Sequence, residues 1–584
     1  MINSVKCCTM SLVAFLSSIA YSQEPILMPG WPVAITGEAT LSAPMQGLTL
    51  FDLNIDGYQE ILLSFGNKIH CFDYVGNELP GWPYETGNIL DNFVNSPVVG
   101  DIDGDNEPEI VCDWRNAWER HSALIALHAD GSMCSGFPID MAANGSARQL
   151  ALHDLDGDSA DEIIIGLYQH YPDTIRELRV YRGNGEMLPG WPVEDIFVYG
   201  IAVGDIDNDS EPEIVVGGDG WADRRYDLFA FKVDGTIVDG FPVELTLQGE
   251  NLWSRGAPSL FDLEGDGFLE IAQVYYESHW PDNADYYFGV FDNHGQMIDN
   301  WPYFYSDESM TGAAVSQNTS RGDYYFAIGT FWGGNYHLVS EAGSTVPGWP
   351  FDHGDYAAGS YDQATIGDID GDGFMDYLFN YNLAIRDSIS QPWMGRIWGL
   401  NQWGEVLEYF PLWVVGTTFP GGVSLSDIDN DGIVEMAFQA VYPDSGQQIV
   451  YVYKLTGIPY EPERFPWPMS CHDPQHTNNL TFKPETGIPY DDDTGLPKRA
   501  FLKGNYPNPF NAKTTIEFGI PKSGHVNLRI YNLLGQEVAT IVDGQLVAGD
   551  HSVIWDASNY SSGIYFYRLT AGGKVITKRM TLLK

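Results

Sequence analysis

The chain has 584 residues, with 80 Asp and Glu against 29 Lys and Arg, a formal net charge of −51 at pH 7. A polyanion of this kind is repelled by phosphate backbones and anionic membranes, which argues against nucleic acid as a partner. A hydrophobic fraction of 44%, with 33 Tyr, 29 Phe and 17 Trp, supplies a large core and excludes disorder. The acidity is uneven: residues 501–584 carry 9 basic and 5 acidic groups, whereas the first 500 carry 20 and 75.

At the amino terminus Lys6 precedes an apolar run from Met10 to Ala20, and Ala20, Tyr21 and Ser22 flank a cleavage point. This is the plan of a secretory signal peptide over residues 1–22. The run is too short to cross a hydrocarbon core of roughly 30 Å. No later stretch reaches the ~18 uncharged apolar residues of a membrane helix, so no transmembrane segment is expected in the mature chain. Export permits disulfides, and four cysteines follow the leader: Cys71, Cys112, Cys134 and Cys471. Four cysteines allow three pairings, which sequence cannot choose between; buried thiols or a single staple are the expectation.

From residue 52 onward one short segment recurs seven times. It reads DLNIDGYQE, DIDGDNEPE, DLDGDSADE, DIDNDSEPE, DLEGDGFLE, DIDGDGFMD and DIDNDGIVE, opening at Asp52, Asp101, Asp154, Asp205, Asp262, Asp368 and Asp427. The interval between the fifth and sixth copies is twice the others, so one copy is lost near Ser316–Tyr324. Sixteen-residue stretches ending in an aromatic residue and proline provide an independent count. Seven of them carry Gly at the ninth position, at Gly76, Gly131, Gly185, Gly235, Gly295, Gly343 and Gly404, and a looser eighth has Gly457 in register. A ninth-position Gly suits the positive φ of a tight hairpin turn. The aromatic–proline pair is expected to end a strand and pack between neighbouring sheets.

Short runs of Val, Ile, Tyr and Phe alternating with Gly, Asp and Asn turns are strand signals, and helical periodicity is scarce. Units of 50–60 residues with about four strands predict an all-β fold. The architecture is a β-propeller over residues 23–479, with eight blades, or seven if the first and last units share one.

Each acidic loop presents oxygen side chains at positions 1, 3, 5 and 9. These are Asp52, Asn54, Asp56 and Glu60; Asp101, Asp103, Asp105 and Glu109; Asp154, Asp156, Asp158 and Glu162; and Asp205, Asp207, Asp209 and Glu213. The last three units supply Asp262, Glu264, Asp266 and Glu270; Asp368, Asp370, Asp372 and Asp376; and Asp427, Asp429, Asp431 and Glu435. Such sets suit a hard cation that takes six to eight oxygens, and Ca2+ fits better than Mg2+. An EF-hand needs Glu at position 12 between helices. Here position 12 is Leu63, Cys112, Ile165, Val216, Gln273, Phe379 or Phe438, each in a β-type run. The loops instead resemble the calcium loops of FG-GAP/VCBS repeats, found in integrin α-subunit propellers and secreted bacterial proteins. The resemblance covers roughly residues 25–470. It implies about seven structural Ca2+ sites with the listed side chains as ligands, weaker where Asn54 and Glu264 depart from the pattern, and no catalysis.

No nucleophile elbow, HExxH, Walker loop or dinucleotide fingerprint occurs, so catalytic residues are unknown. Trp-rich stretches at Trp114–Trp118, His279–Trp280 and Trp393–Trp403 could stack on sugar rings, although packing between blades is the simpler account. The expectation is a binding or adhesion module for a glycan or surface protein. The alternative is a polysaccharide-active enzyme, since calcium-rich eight-bladed propellers resemble rhamnogalacturonan lyases.

A Pro-, Gly- and Asp-rich stretch over 480–500 reads as a linker. Beyond it lie NYPNPFN from Asn505, VNLRIYNLLGQEVATIV from Val526, HSVIWD from His551 and SGIYFYRLTAGGKVITKRMTLLK from Ser562. Short strands broken by Gly predict a small β-sandwich over 501–584. The ordered set closely resembles the type A C-terminal sorting domain of the type IX secretion system, with Ala512 where Pro is common. That resemblance implies the type IX machinery as partner and a secreted or surface-attached product.

Overall fold

The computed structural model describes residues 24–35, 47–93, 95–116, 118–119, 121–141, 146–169, 175–219, 228–247, 250–278, 284–306, 310–318, 322–330, 335–354, 363–385, 393–418, 421–442, 447–482, 490–491, 496–497, 501–502, 505, 510–533, 536–571 and 574–584. The expected signal peptide lies outside them. Among them the chain is all-β, and its helical content is one 3-10 turn at Pro462–Arg464. Among the described residues no helix is long and apolar enough to cross a membrane. Among the described residues Cys71, Cys112, Cys134 and Cys471 are buried and form no disulfide.

Small antiparallel sheets succeed one another along the chain. Their opening strands are Thr49–Phe51, Val98–Gly100, Ser146–His153, Phe197–Gly204, Trp253–Phe261, Met310–Gln317, Thr365–Gly367 and Ser424–Ser426. Each of these strands touches the next in the series, and Ser424–Ser426 also touches Thr49–Phe51. Apolar clusters fill the spaces between successive sheets. One of them joins Ile428, Ala437 and Val452 of the last sheet to Leu50, Ile61 and Leu63 of the first.

Because a sheet in this series is covered on both faces, its inner strands are apolar at every residue rather than at alternate ones. Ile61, Leu62 and Leu63 are all buried, as are Ile163, Ile164 and Ile165. The eighth sheet is completed by the start of the chain. Ile26 and Leu27 pair with Lys454 and Tyr453, and Val33–Ile35 pairs with Gln448–Val450.

The aromatic–proline pairs lie where neighbouring units meet. The indole N–H of Trp82 donates to Ala129 O at 3.0 Å, that of Trp191 to Val233 O at 2.8 Å, and that of Trp349 to Gln402 O at 3.1 Å. Trp31, outside the sixteen-residue stretches, does the same toward Tyr74 O at 3.0 Å. It supplies the aromatic–proline pair that the eighth stretch lacks. The ninth-position glycines all have positive φ, between 70° and 82° in the seven close copies. In the sixth sheet, which lacks the acidic loop, Asn318 N donates to Asp323 O.

Residues 464–480 form a feature that composition does not announce. Going along the segment, carbonyls of Arg464, Trp467, Pro468, Pro474, Gln475, Thr477 and Asn478 accept from Asp368, Ile366, Leu425, Val99, Leu152, Val203 and Leu260. The segment therefore visits the opening strands of the seventh, eighth, second, third, fourth and fifth sheets in that order. Cys471, His472, His476 and Asn478 all adopt positive φ, and all four are buried.

The C-terminal part is a two-sheet sandwich. Phe501–Leu502, Lys513–Ile520 and Gly549–Asp556 form one sheet. Glu537–Leu546, Gly524–Asn532, Gly563–Ala571 and Lys574–Leu582 form the other. Here burial does alternate along the strand from Gly524 to Asn532, because one face meets solvent. The segment VNLRIYNLLGQEVATIV contributes two strands: Asn532 N donates to Gln536 O and Tyr531 pairs with Glu537, so the segment turns back on itself.

Candidate metal centres

All seven acidic loops close in one way. The first carboxylate accepts backbone N–H groups from within its own loop, as when Asp101 takes Gly104 N at 2.8 Å and Asn106 N at 2.7 Å. The fifth-position carboxylate caps the N–H two residues on, as Asp105 does for Glu107 at 2.7 Å. The ninth-position carboxylate reaches back to the N–H of position two: Glu109 takes Ile102 N at 3.2 Å, and Asp376 takes Ile369 N at 2.9 Å. Positions four and six both carry positive φ in every copy, which explains the Gly and Asn found there. The exceptions are Ile55, at φ 54°, and Ser159 and Ser210, both at φ 72°.

These bonds occupy one oxygen of each ninth-position carboxylate and turn the other inward. In five loops oxygens from positions 1, 3 and 9 lie within 4.8 Å of one another. These groups are Asp101, Asp103 and Glu109; Asp154, Asp156 and Glu162; Asp205, Asp207 and Glu213; Asp368, Asp370 and Asp376; and Asp427, Asp429 and Glu435. The fifth-position acids Asp105, Asp158, Asp209, Asp372 and Asp431 stand outside the groups. The loops with Asn54 and Glu264 do not gather three acidic oxygens in this way. Asp52, Asp56 and Glu60, and Asp262, Asp266 and Glu270, are nonetheless held by the same backbone bonds.

Burial of the ninth-position carboxylates, reinforced by repulsion from the other loop acids, raises their pKa values. Glu60 and Glu109 are pushed up to about 9, Glu435 to about 8, and Glu162, Glu213 and Glu270 to about 7. Asp376, 1% exposed, is raised well above its ordinary value, and its Oδ1 has no hydrogen-bond partner. A buried carboxylate without a counter-charge is costly, and a cation removes that cost. The groups can therefore hold metal ions, and an all-oxygen, carboxylate-rich donor set suits a hard divalent ion.

Of the Trp-rich stretches, Trp114 packs edge-on against His121, Trp118 is 83% exposed, and Trp403 meets Phe374. Residues 279–280 lie outside the described residues. Sequence reasoning missed the 464–480 segment and the basic residues opposite some acidic loops.

Fold and site together define a class: an all-β repeat protein with acidic hairpin loops that can bind cations, followed by a separate β-sandwich. Residues 505–582 of that sandwich match the family model of the Secretion system C-terminal sorting domain. The match marks the chain as a product of that secretion route, secreted or attached to the cell surface. The chain matches none of the curated proteins.

Among solved structures, PorZ, an essential bacterial surface component of the type-IX secretion system of Porphyromonas gingivalis, is 12% identical with a TM-score of 0.28. That pairing covers 97% of this chain and 88% of PorZ. A eukaryotic initiation factor is 11% identical with a TM-score of 0.31, over 68% of this chain and 96% of the other. A fructofuranosidase variant from Schwanniomyces occidentalis, complexed with fructosylnystose, is 12% identical with a TM-score of 0.25, over 77% and 97%. At these TM-scores the likenesses carry no argument about this chain.

Proposed function

We propose that this chain is an exported, calcium-stabilised β-propeller of the FG-GAP/VCBS type with eight blades, serving as a binding or adhesion module for a glycan or protein at the cell surface. The observation that carries the reading is the seven-fold recurrence of one loop geometry, which in five copies brings carboxylate oxygens from positions 1, 3 and 9 within 4.8 Å of one another. The cyclic contacts of the opening strands, and the pairing of residues 26–35 with the last sheet, support a ring of eight. Calcium would be held by the acids of positions 1, 3 and 9 and would pin each hairpin within its blade, without chemistry at a substrate. The type IX machinery engages residues 501–584.

Deleting Phe501–Lys584 should leave the protein in the periplasm; its arrival at the surface would remove the export half of the reading. A glycan and surface-protein array probed with and without chelator tests the binding half. A second reading, a polysaccharide-active enzyme, draws on Trp118, whose exposed indole offers a stacking platform for a sugar ring. Turnover of pectic polysaccharide that a single loop substitution abolishes would favour it over binding alone.

A further inference from the structure

Three of the seven acidic loops hold a basic residue of their own hairpin against at least two of their carboxylates. Lys454 Nζ lies 2.7 Å from Asp429 Oδ2, 2.6 Å from Asp431 Oδ2 and 3.0 Å from Glu435 Oε1. Lys232 Nζ lies 3.6 Å from Asp207 Oδ2, 3.0 Å from Asp209 Oδ2 and 3.7 Å from Glu213 Oε1. Arg182 places Nη2 2.7 Å from Asp156 Oδ2 and Nη1 3.4 Å from Asp158 Oδ2. Of the three carboxylates that would otherwise surround a metal ion, Lys454 and Lys232 each reach two and Arg182 reaches Asp156.

The placement follows from the register. Lys454 pairs directly with Glu435 across the hairpin. Lys232 follows Phe231, which pairs with Ile214, and so comes opposite Glu213. Arg182 follows Tyr181, which pairs with Ile163, and so comes opposite Glu162. In the sixteen-residue stretches this is always the sixth residue. The same position holds Asp73 and Asp292 opposite the first and fifth loops, His128 opposite Glu109, and Asn401 opposite Asp376. None of those four brings a permanent positive charge, and Lys578, buried and facing Asp52, Asp56 and Glu60, makes no hydrogen bond to them. Arg464 reaches the seventh-sheet loop from another segment and pairs only with Asp368 among the described residues. It leaves Asp376, with its unpartnered inward oxygen, uncompensated.

An ammonium or guanidinium fixed among these oxygens does electrostatically what a metal would do. A divalent ion at the same oxygens would have to displace the base or sit beside a like charge. Building on the calcium reading above, we infer that the loops opening at Asp154, Asp205 and Asp427 are neutralised internally by Arg182, Lys232 and Lys454. Divalent cations are taken only by the loops at Asp52, Asp101, Asp262 and Asp368. The metal content of the whole protein is then at most four, not seven, and the base-filled hairpins keep their shape in chelator.

Native mass spectrometry of the full chain with Ca2+ as the only added divalent ion reads this directly. Wild type is expected to bind no more than four ions. Arg182→Met, Lys232→Met and Lys454→Met should each add one ion and become more sensitive to EDTA. A second arm needs no charge removed from beside a buried acid. Asp103→Asn should lower the count by one, whereas Asp429→Asn should leave it unchanged. Seven ions on wild type, or a loss of one ion in Asp429→Asn, would overturn the inference and leave the calcium reading standing. No ions on wild type or on any Met variant would bring down both.

Discussion

The indole N–H of Trp31 donates to the carbonyl oxygen of Tyr74 at 3.0 Å, joining the start of the chain to the first acidic unit while its neighbours complete the last sheet. The ring of Trp31 is 6% exposed and meets Phe72 edge-on at 6.1 Å. Trp31→Ala removes a buried aromatic and a hydrogen bond from the cluster in which the first and last sheets pack together. A loss of about 3–5 kcal/mol is expected, read by urea denaturation. Trp118→Ala, at an exposed position, should stay within about 0.5 kcal/mol of wild type. Equal small effects for the two would show that the chain start is not part of the packed core.

Asp473 organises the 464–480 segment. Its carboxylate accepts from Thr477 N at 3.1 Å and from the Thr477 hydroxyl, and it lies 2.8 Å from His472 Nδ1. All three residues are buried. Asp473→Ala leaves several buried donors without an acceptor, and such losses cost about 1–3 kcal/mol for each unsatisfied group. Because the segment bridges six sheets, the loss should appear as one cooperative shift of the whole unfolding transition, not as early melting of one part. Two separated transitions in the variant would contradict this.

The repeat count and the turn chemistry were legible because each depends on local rules. Acidic positions fall at fixed spacing, and only Gly or Asn is comfortable where φ is positive. Two features were not. The bases at position six look like ordinary strand residues until the register sets Lys454 opposite Glu435. The segment around Asp473 is polar and turn-rich, which in composition resembles a linker. Its burial arises from contacts up to several hundred residues away, such as Asn478 Nδ2 to Ile201 O at 2.8 Å. Position five also reads as a ligand by spacing alone. Its carboxylate is turned toward its own loop backbone, as Asp372 shows by accepting from Phe374 N at 2.8 Å.

Ile55 occupies the one fourth position in the seven loops that is neither Gly nor Asn, at φ 54°. A β-branched residue in the left-handed region costs roughly 1–2 kcal/mol. Ile55→Asn, matching Asn208 and Asn430 in the equivalent places, should raise stability by about 1 kcal/mol, because Ile55 is only half-buried and gives up little packing. Chemical denaturation at fixed calcium decides it. A destabilised variant would mean that the Ile55 side chain contributes more by contact than its backbone loses.

The raised carboxyl pKa values fix the sign of the pH dependence. In the unfolded chain Glu60 and Glu109 release their protons at ordinary values near 4.5, whereas burial in the metal-free fold holds them to about 9. Between those limits the folded state binds more protons than the unfolded state, so stability falls as pH rises. The decline begins near the ordinary carboxylate range and is complete once pH exceeds the folded value. Glu270, raised to about 7, follows the same course over a narrower window. A divalent ion reverses the preference, because it requires the ionised form and expels the proton. Protein stripped with EDTA should therefore lose on the order of 5 °C or more in Tm between about pH 5 and about pH 9. Calcium-loaded protein should change little, and the gap between the two should widen steadily with pH. Titration with Ca2+ in weakly buffered solution near neutrality should release protons, and Glu109→Gln should release fewer. A stripped protein that gains stability on going from acid to alkaline conditions would mean that these carboxylates are already compensated within the fold, and that the loops hold their shape without metal.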